Sequence, residues 1–218
     1  MSMSEKYSGF FITIEGNDGA GKTTAAKGLE QALKAQRIPV VLTREPGGSS
    51  IAEQIRQILL NPDNTDMDPL TEAILYAAAR RQHLSDVVIP ALQQGKVVLC
   101  DRYIDSSLAY QGEGRGLGIE KIAGLNEIAV EGLWPDLTLF LQVDLEAAKA
   151  RMLSRGDLNR LDAESEAFHA RVRTGFEKAV QRDPERFICI DASGTPDEVL
   201  NLCLEALKPS LEKVRHDQ

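Results

Sequence analysis

Gly-Asn-Asp-Gly-Ala-Gly-Lys-Thr, residues 16–23, fits the pattern G-x-x-x-x-G-K-[ST]. Its glycines allow backbone N–H groups to turn inward around phosphate oxygens. Lys22 can reach the outer phosphates and the Thr23 hydroxyl can hold a cation, while Gly16, Asn17, Asp18, Gly19, Ala20, Gly21 and Thr24 complete the cradle. The apolar run Phe-Phe-Ile-Thr-Ile at 10–14 reads as a buried strand before it, and the segment from Thr24 to Ala35 as a helix after it. That helix would aim its positive end at the same anion. A glycine-rich turn without a ligand is the alternative, and the strand before and helix after argue against it.

Outward from this loop, short apolar runs alternate with longer helical patterns. Strands are predicted at Phe10–Glu15, Pro39–Thr43, Val97–Asp101, Leu137–Val143 and Arg186–Ile190. Most are apolar at consecutive positions, as in a parallel sheet covered on both faces. Helices are predicted at Thr23–Gln36, Ser50–Leu60, Leu70–Gln94, Ile119–Glu131, Leu145–Ser154, Ala163–Arg182 and Pro196–Lys208, with a loop at Asn61–Asp68. The alternation predicts an α/β, doubly wound parallel sheet with right-handed crossovers, whose ligands sit beyond the carboxyl ends of the strands.

The 218 residues suit one domain with a small mobile insert; 43% are hydrophobic and 27% charged. The net charge of −8 disfavours nonspecific binding to nucleic acid or an anionic membrane, so a phosphate ligand needs a local positive site. No apolar run is long enough for a membrane span, and the N-terminus lacks the pattern of a secretion signal. The three cysteines show no zinc spacing and read as reduced, buried thiols of a cytoplasmic protein. The three histidines are scattered, and no Ser/His/Asp order or G-x-S-x-G suggests hydrolysis.

Polar residues cluster after the strands. Asp101 closes Val-Val-Leu-Cys where a magnesium-binding acid would sit; capping of the next helix is compatible with that role. Arg44 and Arg102 each follow a strand and suggest a second anion site, as guanidinium groups bind phosphate with paired hydrogen bonds. Tyr76 and Arg80 are four apart on a helix and share a face, a pair that ordinary packing also explains. Arg151, Arg155 and Arg160, with Gly156 between the last two, form a basic stretch that could close over a transferring phosphate, or be a solvated helix end.

Together these motifs resemble the thymidylate kinases, from Phe10 to about Glu205. The blocks that carry the resemblance are Glu-Gly-x-Asp-Gly-Ala-Gly-Lys-Thr-Thr (15–24), Thr-Arg-Glu-Pro-Gly-Gly (43–48), Tyr-Ala-Ala-x-Arg (76–80), Asp-Arg-Tyr (101–103), Ala-Tyr-Gln-Gly (109–112), Pro-Asp-Leu-Thr-Leu (135–139) and Arg-Gly-x-Leu (155–158). The resemblance implies a P-loop NTPase-type sheet of five parallel strands wrapped by helices. A single nucleoside monophosphate kinase domain would span 1–218, with its phosphate loop at 16–23 and a lid at about 153–162. It also implies a homodimer that transfers the γ-phosphate of ATP to dTMP with Mg2+, a step toward dTTP. It implies that Asp18 meets the sugar 3′-hydroxyl, that Arg44 and Arg102 hold the dTMP phosphate, and that Tyr76 stacks on thymine. Arg80 and Gln111 would bond the base, Ser106 would line the dTMP site, and Tyr110 would sit near C2′ and disfavour ribose. Where some members carry arginine after the loop's acidic residue, this chain has Gly19. The missing cation is expected from the lid, as in bacterial-type members, with Arg155 the best match. A kinase for another deoxynucleoside monophosphate or a deoxynucleoside is the nearest alternative. A nucleotide switch is a more distant one, lacking an Asn-Lys-x-Asp motif.

Overall fold

The computed structural model describes residues 7–153 and 159–216. Five strands form one parallel sheet in the order β2-β3-β1-β4-β5: β1 (Phe10–Glu15), β2 (Val40–Arg44), β3 (Val97–Asp101), β4 (Leu137–Gln142) and β5 (Phe187–Asp191). The chain runs from β1 to β2 and β3 on one side, then returns to β4 and β5 on the other. A crevice therefore opens at the carboxyl end of β1, where the connections diverge.

Alternate residues of each strand enter two cores. Phe11, Val98, Cys100 and Phe140 pack on one face; Ile12, Ile14, Leu99 and Leu139 pack on the other. That double burial is why the strands read as unbroken apolar runs. Thr13 and Thr138 are buried in adjacent strands and satisfy each other across 2.8 Å.

α1 (Lys22–Ala35) lies on the second face with α9 (Pro196–His216). On the first face, α2 (Ser50–Leu60) packs against α3 (Pro69–His83), and α3 packs in turn against α6 (Ile119–Val130). Asp68 caps α3 by accepting from the N–H groups of Leu70 and Thr71, with Pro69 in the first turn. The helix expected as one piece over Leu70–Gln94 is α3, a π-type turn at Leu84–Val88, and α4 (Ile89–Gln93). Pro90 has no N–H to donate back to residue 86, which accounts for the widening just before it.

After β3 come α5 (Ile104–Ser107) and a second π-type segment at Leu108–Gly114, neither of which was expected. This segment packs closely against α8 (Glu166–Arg182). α7 (Leu145–Leu153) follows β4. α8 begins at Glu166 rather than Ala163, because residues 159–163 form a turn and the Ser165 hydroxyl caps Phe168 N–H. α9 continues through Pro209 to His216, beyond the expected end at Lys208, with Leu207 and Leu211 buried on either side of the proline. Cys100 and Cys203 are buried thiols, but Cys189 is exposed: it lies on the edge strand β5, which has a neighbour on one side only.

Candidate active site

The phosphate loop joins β1 to α1, and Gly21 enters the helix with a left-handed φ of 87°. Gly19 also has positive φ, and a Cβ there would collide with the backbone of Ala148 on α7. No side chain fits at position 19 in this packing. Lys22 folds back over the loop and donates to the carbonyl oxygens of Gly16 (3.0 Å) and Asn17 (2.7 Å). Burial, followed by the nearby Arg102 charge, lowers its pKa to about 8. Thr23 Oγ1 donates to Asp101 Oδ2 across 2.6 Å, so the first turn of α1 and the end of β3 present two hard oxygen ligands together.

Arg102 follows directly, in a left-handed conformation with φ 71°. Its guanidinium donates to Gly16 O (3.1 Å) and Ser106 Oγ (2.9 Å), and pairs closely with Asp18. Burial opposes the charges of both partners. Even so, Arg102 and Lys22 hold the Asp18 carboxyl well below the usual carboxylate range, and Asp18 in turn raises Arg102. The Tyr110 hydroxyl donates to the other oxygen of Asp18 at 2.5 Å.

Glu15 fixes this turn from beneath. It is wholly buried, accepting from Tyr103 N–H (2.7 Å), Ser106 N–H (3.2 Å) and Ser106 Oγ (2.6 Å). Burial, and then the charge of Asp105, push its pKa up to about 7. Asp105 is held by a two-pronged pair with Arg186 at 2.8 Å.

A cavity of about 680 Å³ joins the phosphate loop to this cluster. Arg44, Tyr76, Arg80, Ser106, Tyr110 and Gln111 also line it. With Asp18 and Arg102, all eight residues expected to meet dTMP line this cavity, and Arg80 is the most constrained of them. Its guanidinium nitrogens already donate to Glu45, Ser107, Asn126 and the Tyr103 carbonyl, and it is almost fully buried. Arg44 is half exposed and pairs with Glu53 at 2.9 Å. Such a pair has little net stability to lose when an anion arrives.

Of the three arginines expected near the lid, Arg155 lies outside the described residues. Arg151 lines the cavity and donates to the carbonyl oxygen of Ala192 at 3.0 Å. Arg160 is buried, donating to Leu59 O (3.0 Å) and Glu72 Oε2 (2.6 Å), so it anchors a turn instead of standing over the cavity. Within the 153–162 segment, residue 153 ends α7, and residues 159–162 are held by Asn159–Asp162 hydrogen bonds.

Sequence reasoning missed Arg56 and Glu45. Arg56 on α2 lines the cavity and donates to Pro46 O at 2.7 Å. Burial and the neighbouring Arg44 charge lower its pKa. Its place on the helix face next to the Arg-Glu-Pro-Gly-Gly loop was the available signal. Glu45 bridges Arg80 (2.7 Å) and His83 Nδ1 (2.9 Å), and His83 Nε2 meets the Thr43 hydroxyl at 2.6 Å. Cys100 lies within reach of Glu45 and His83. The group is a poor metal site: burial raises the thiol well above its ordinary pKa, and Arg80 already neutralises Glu45.

Comparisons agree with this geometry. The sequence pattern of the family described as Thymidylate kinase matches residues 14–202. A thymidylate kinase of Bacillus velezensis is 50% identical over 210 residues, 95% of this chain and 99% of the relative. That of Halalkalibacterium halodurans is 53% identical over 206 residues, 93% and 98% of the two chains. The crystal structure of thymidylate kinase from Ehrlichia chaffeensis superposes with a TM-score of 0.74 at 34% identity, covering 92% of this chain and 98% of that one. With its phosphate loop, its Arg-Glu-Pro-Gly-Gly block and its Asp-Arg-Tyr turn converging on one cavity, this chain belongs to the thymidylate kinase family.

Proposed function

We propose that this protein phosphorylates dTMP to dTDP with ATP, on the route to dTTP. The observation that carries this reading is a single cavity with two anion sites. One is the phosphate loop, for the donor. The other is Arg102 with Arg44 and Arg56, for the acceptor phosphate. Tyr76 and Gln111 line the same cavity, one offering an aromatic face and the other an amide for a base.

In this reading Asp18 accepts from the sugar 3′-hydroxyl while Arg102 holds the acceptor phosphate. Both are pre-set by the Tyr110 and Ser106 contacts, so little reorganisation precedes transfer. Lys22 exchanges its backbone acceptors for donor phosphate oxygens and meets the charge that develops there. Thr23 and Asp101 are suited to hold Mg2+, directly or through water, since both offer oxygen at the strand end beside the loop. Mg2+ when bound neutralises phosphate oxygens. Arg155, from the lid near 153–162, supplies the further cation.

One kinase domain over 1–218, acting in the cytoplasm, fits this reading. Among the described residues, no helix is long and apolar enough to cross a membrane. A homodimer is supported by exposed Ile51 and Ile58 on α2, Ile74 on α3 and Ile128 on α6, apolar side chains on three helices packed side by side.

Coupled ADP release tests the assignment, with dTMP, dUMP, dCMP and thymidine compared as acceptors. A clear preference for dTMP is expected. Faster turnover of thymidine or of another monophosphate would assign the site to that acceptor instead.

A further inference from the structure

Gln111 lies on the π-type segment after α5, is nearly fully buried and lines the cavity. Its Nε2 donates to Glu72 Oε1 at 2.8 Å. Glu72 sits in the first turn of α3 and is wholly buried. It also accepts from Arg115 Nη2 (3.0 Å) and Arg160 Nη2 (2.6 Å) on Oε2, while Arg115 Nε reaches Oε1 at 3.3 Å and Oε2 at 3.2 Å. Burial works against its charge, but the hydrogen bonds from Arg115, Gln111 and Arg160 outweigh it and hold its pKa below the ordinary value.

An ionised carboxylate only accepts hydrogen bonds. Gln111 must therefore turn its NH2 toward Glu72, which directs the amide oxygen, its one acceptor, away from the carboxylate. Among the described residues no donor meets that oxygen. A ligand that meets this oxygen finds an acceptor and must bring a donor. The N3–H of thymine is a donor, whereas N3 of cytosine is an acceptor.

We propose that Glu72 is a specificity-determining positioning residue: by fixing the Gln111 amide with its oxygen outward, it selects bases protonated at N3 over cytosine. This rests on the reading that the dTMP base meets Gln111. Glu72 itself touches no substrate. The two arginines keep it charged and make their shorter bonds to Oε2; on Oε1 the Gln111 amide at 2.8 Å is the nearer donor, with Arg115 Nε at 3.3 Å.

The variant Glu72→Gln makes a directional test. Arg115 and Arg160 still need an oxygen, so the new amide presents its NH2 toward Gln111. Gln111 then turns its own oxygen inward and offers NH2 to the base. The ratio of kcat/KM for dTMP over dCMP should fall about tenfold, the size of one neutral hydrogen bond exchanged. Gln111→Leu is measured beside it. A ratio unchanged in Glu72→Gln but shifted in Gln111→Leu overturns the orienting role while the base contact stands. Parent-like constants for both acceptors in Gln111→Leu overturn the base contact, and the proposal with it. Should Glu72→Gln fail to fold, the parent protein decides. By 15N-edited NMR the Gln111 NH2 protons should keep their cross-peaks to the Glu72 γ-methylene when dTMP is added. Loss of those cross-peaks on adding dTMP would overturn the proposal.

Discussion

The Tyr110 hydroxyl donates to Asp18 across 2.5 Å, tying the wall of the cavity to the phosphate loop. The Tyr110 ring is nearly fully buried, edge-on to Phe168 and Phe176 with centroids 6.2 Å away in each case. It is therefore a rigid wall, not a side chain free to yield.

With the sugar's C2′ against this rigid ring, as proposed, an added hydroxyl would have no room. Tyr110→Ala should lower discrimination between dTMP and thymidine ribonucleotide by about tenfold or more, as when a shaped pocket loses its limiting wall. Tyr110→Phe keeps the ring but loses the Asp18 bond, so it should retain the sugar preference while lowering turnover. Competition kinetics with the two acceptors reads this directly. If both variants reject ribose like the parent, another group sets sugar choice.

Among the described residues Lys22 donates to loop carbonyls alone, and burial, followed by the Arg102 charge, lowers its pKa to about 8. An arriving phosphate raises that pKa. Binding of ATP should therefore take up protons from solution at pH 8–9, and much less below pH 7. Calorimetry in buffers of different ionisation enthalpy measures the uptake. Lys22→Ala should lose the uptake and about a hundredfold or more of turnover with the fold intact. An ATP-binding enthalpy independent of buffer at pH 8.5 would remove Lys22 from the phosphate.

Glu15 has a folded pKa of about 7, above its ordinary 4.5, because burial and Asp105 disfavour its charge. The sign follows from linkage: the folded state binds this proton more tightly than the unfolded one. Its contribution is fully present below about pH 4.5 and is lost as pH rises through 7. Glu15→Gln, which stays neutral, should flatten the decline in Tm between pH 5.5 and 8 relative to the parent. Thermal melts across that range decide it; parallel slopes would mean that Glu15 does not titrate there.

The sheet was legible because its central strands β1, β3 and β4 are buried on both faces, so their apolar runs survive in one dimension. The catalytic loop was legible because eight consecutive residues make it. Arg160 was not. Its partner Glu72 is 88 residues away in sequence, and nothing local separates a buried anchor from a solvated lid cation. Glu45 and His83 form a bonded chain only once β2 and α3 pack together, and a scattered histidine carries no such mark. Cys189 read as buried because its strand is apolar, yet an edge strand leaves one flank uncovered.

The cation for the transferring phosphoryl group has few possible sources. Position 19 cannot supply it, since positive φ and the Ala148 backbone exclude any side chain there. Arg160 is committed to Glu72 and Leu59 O below the surface. Arg102 is paired with Asp18 on the acceptor side. Arg151 is held at the loop between β5 and α9 through the Ala192 carbonyl. Arg155 lies between Arg151 and Arg160 in sequence, on the segment that continues from α7. Transfer spreads negative charge over the γ-phosphate oxygens, so an arginine acting there stabilises the transition state more than the ground state. Arg155→Ala should thus lower kcat by about a hundredfold or more and change either KM by only a few-fold. Arg160→Ala should instead lower Tm, because it strips a buried carboxylate of a partner, and should affect kcat less. Steady-state kinetics and thermal melts on Arg151→Ala, Arg155→Ala and Arg160→Ala, made side by side, separate these roles. If Arg155→Ala keeps parental turnover while Arg151→Ala loses it, the cation comes from the α7 end and not from the lid.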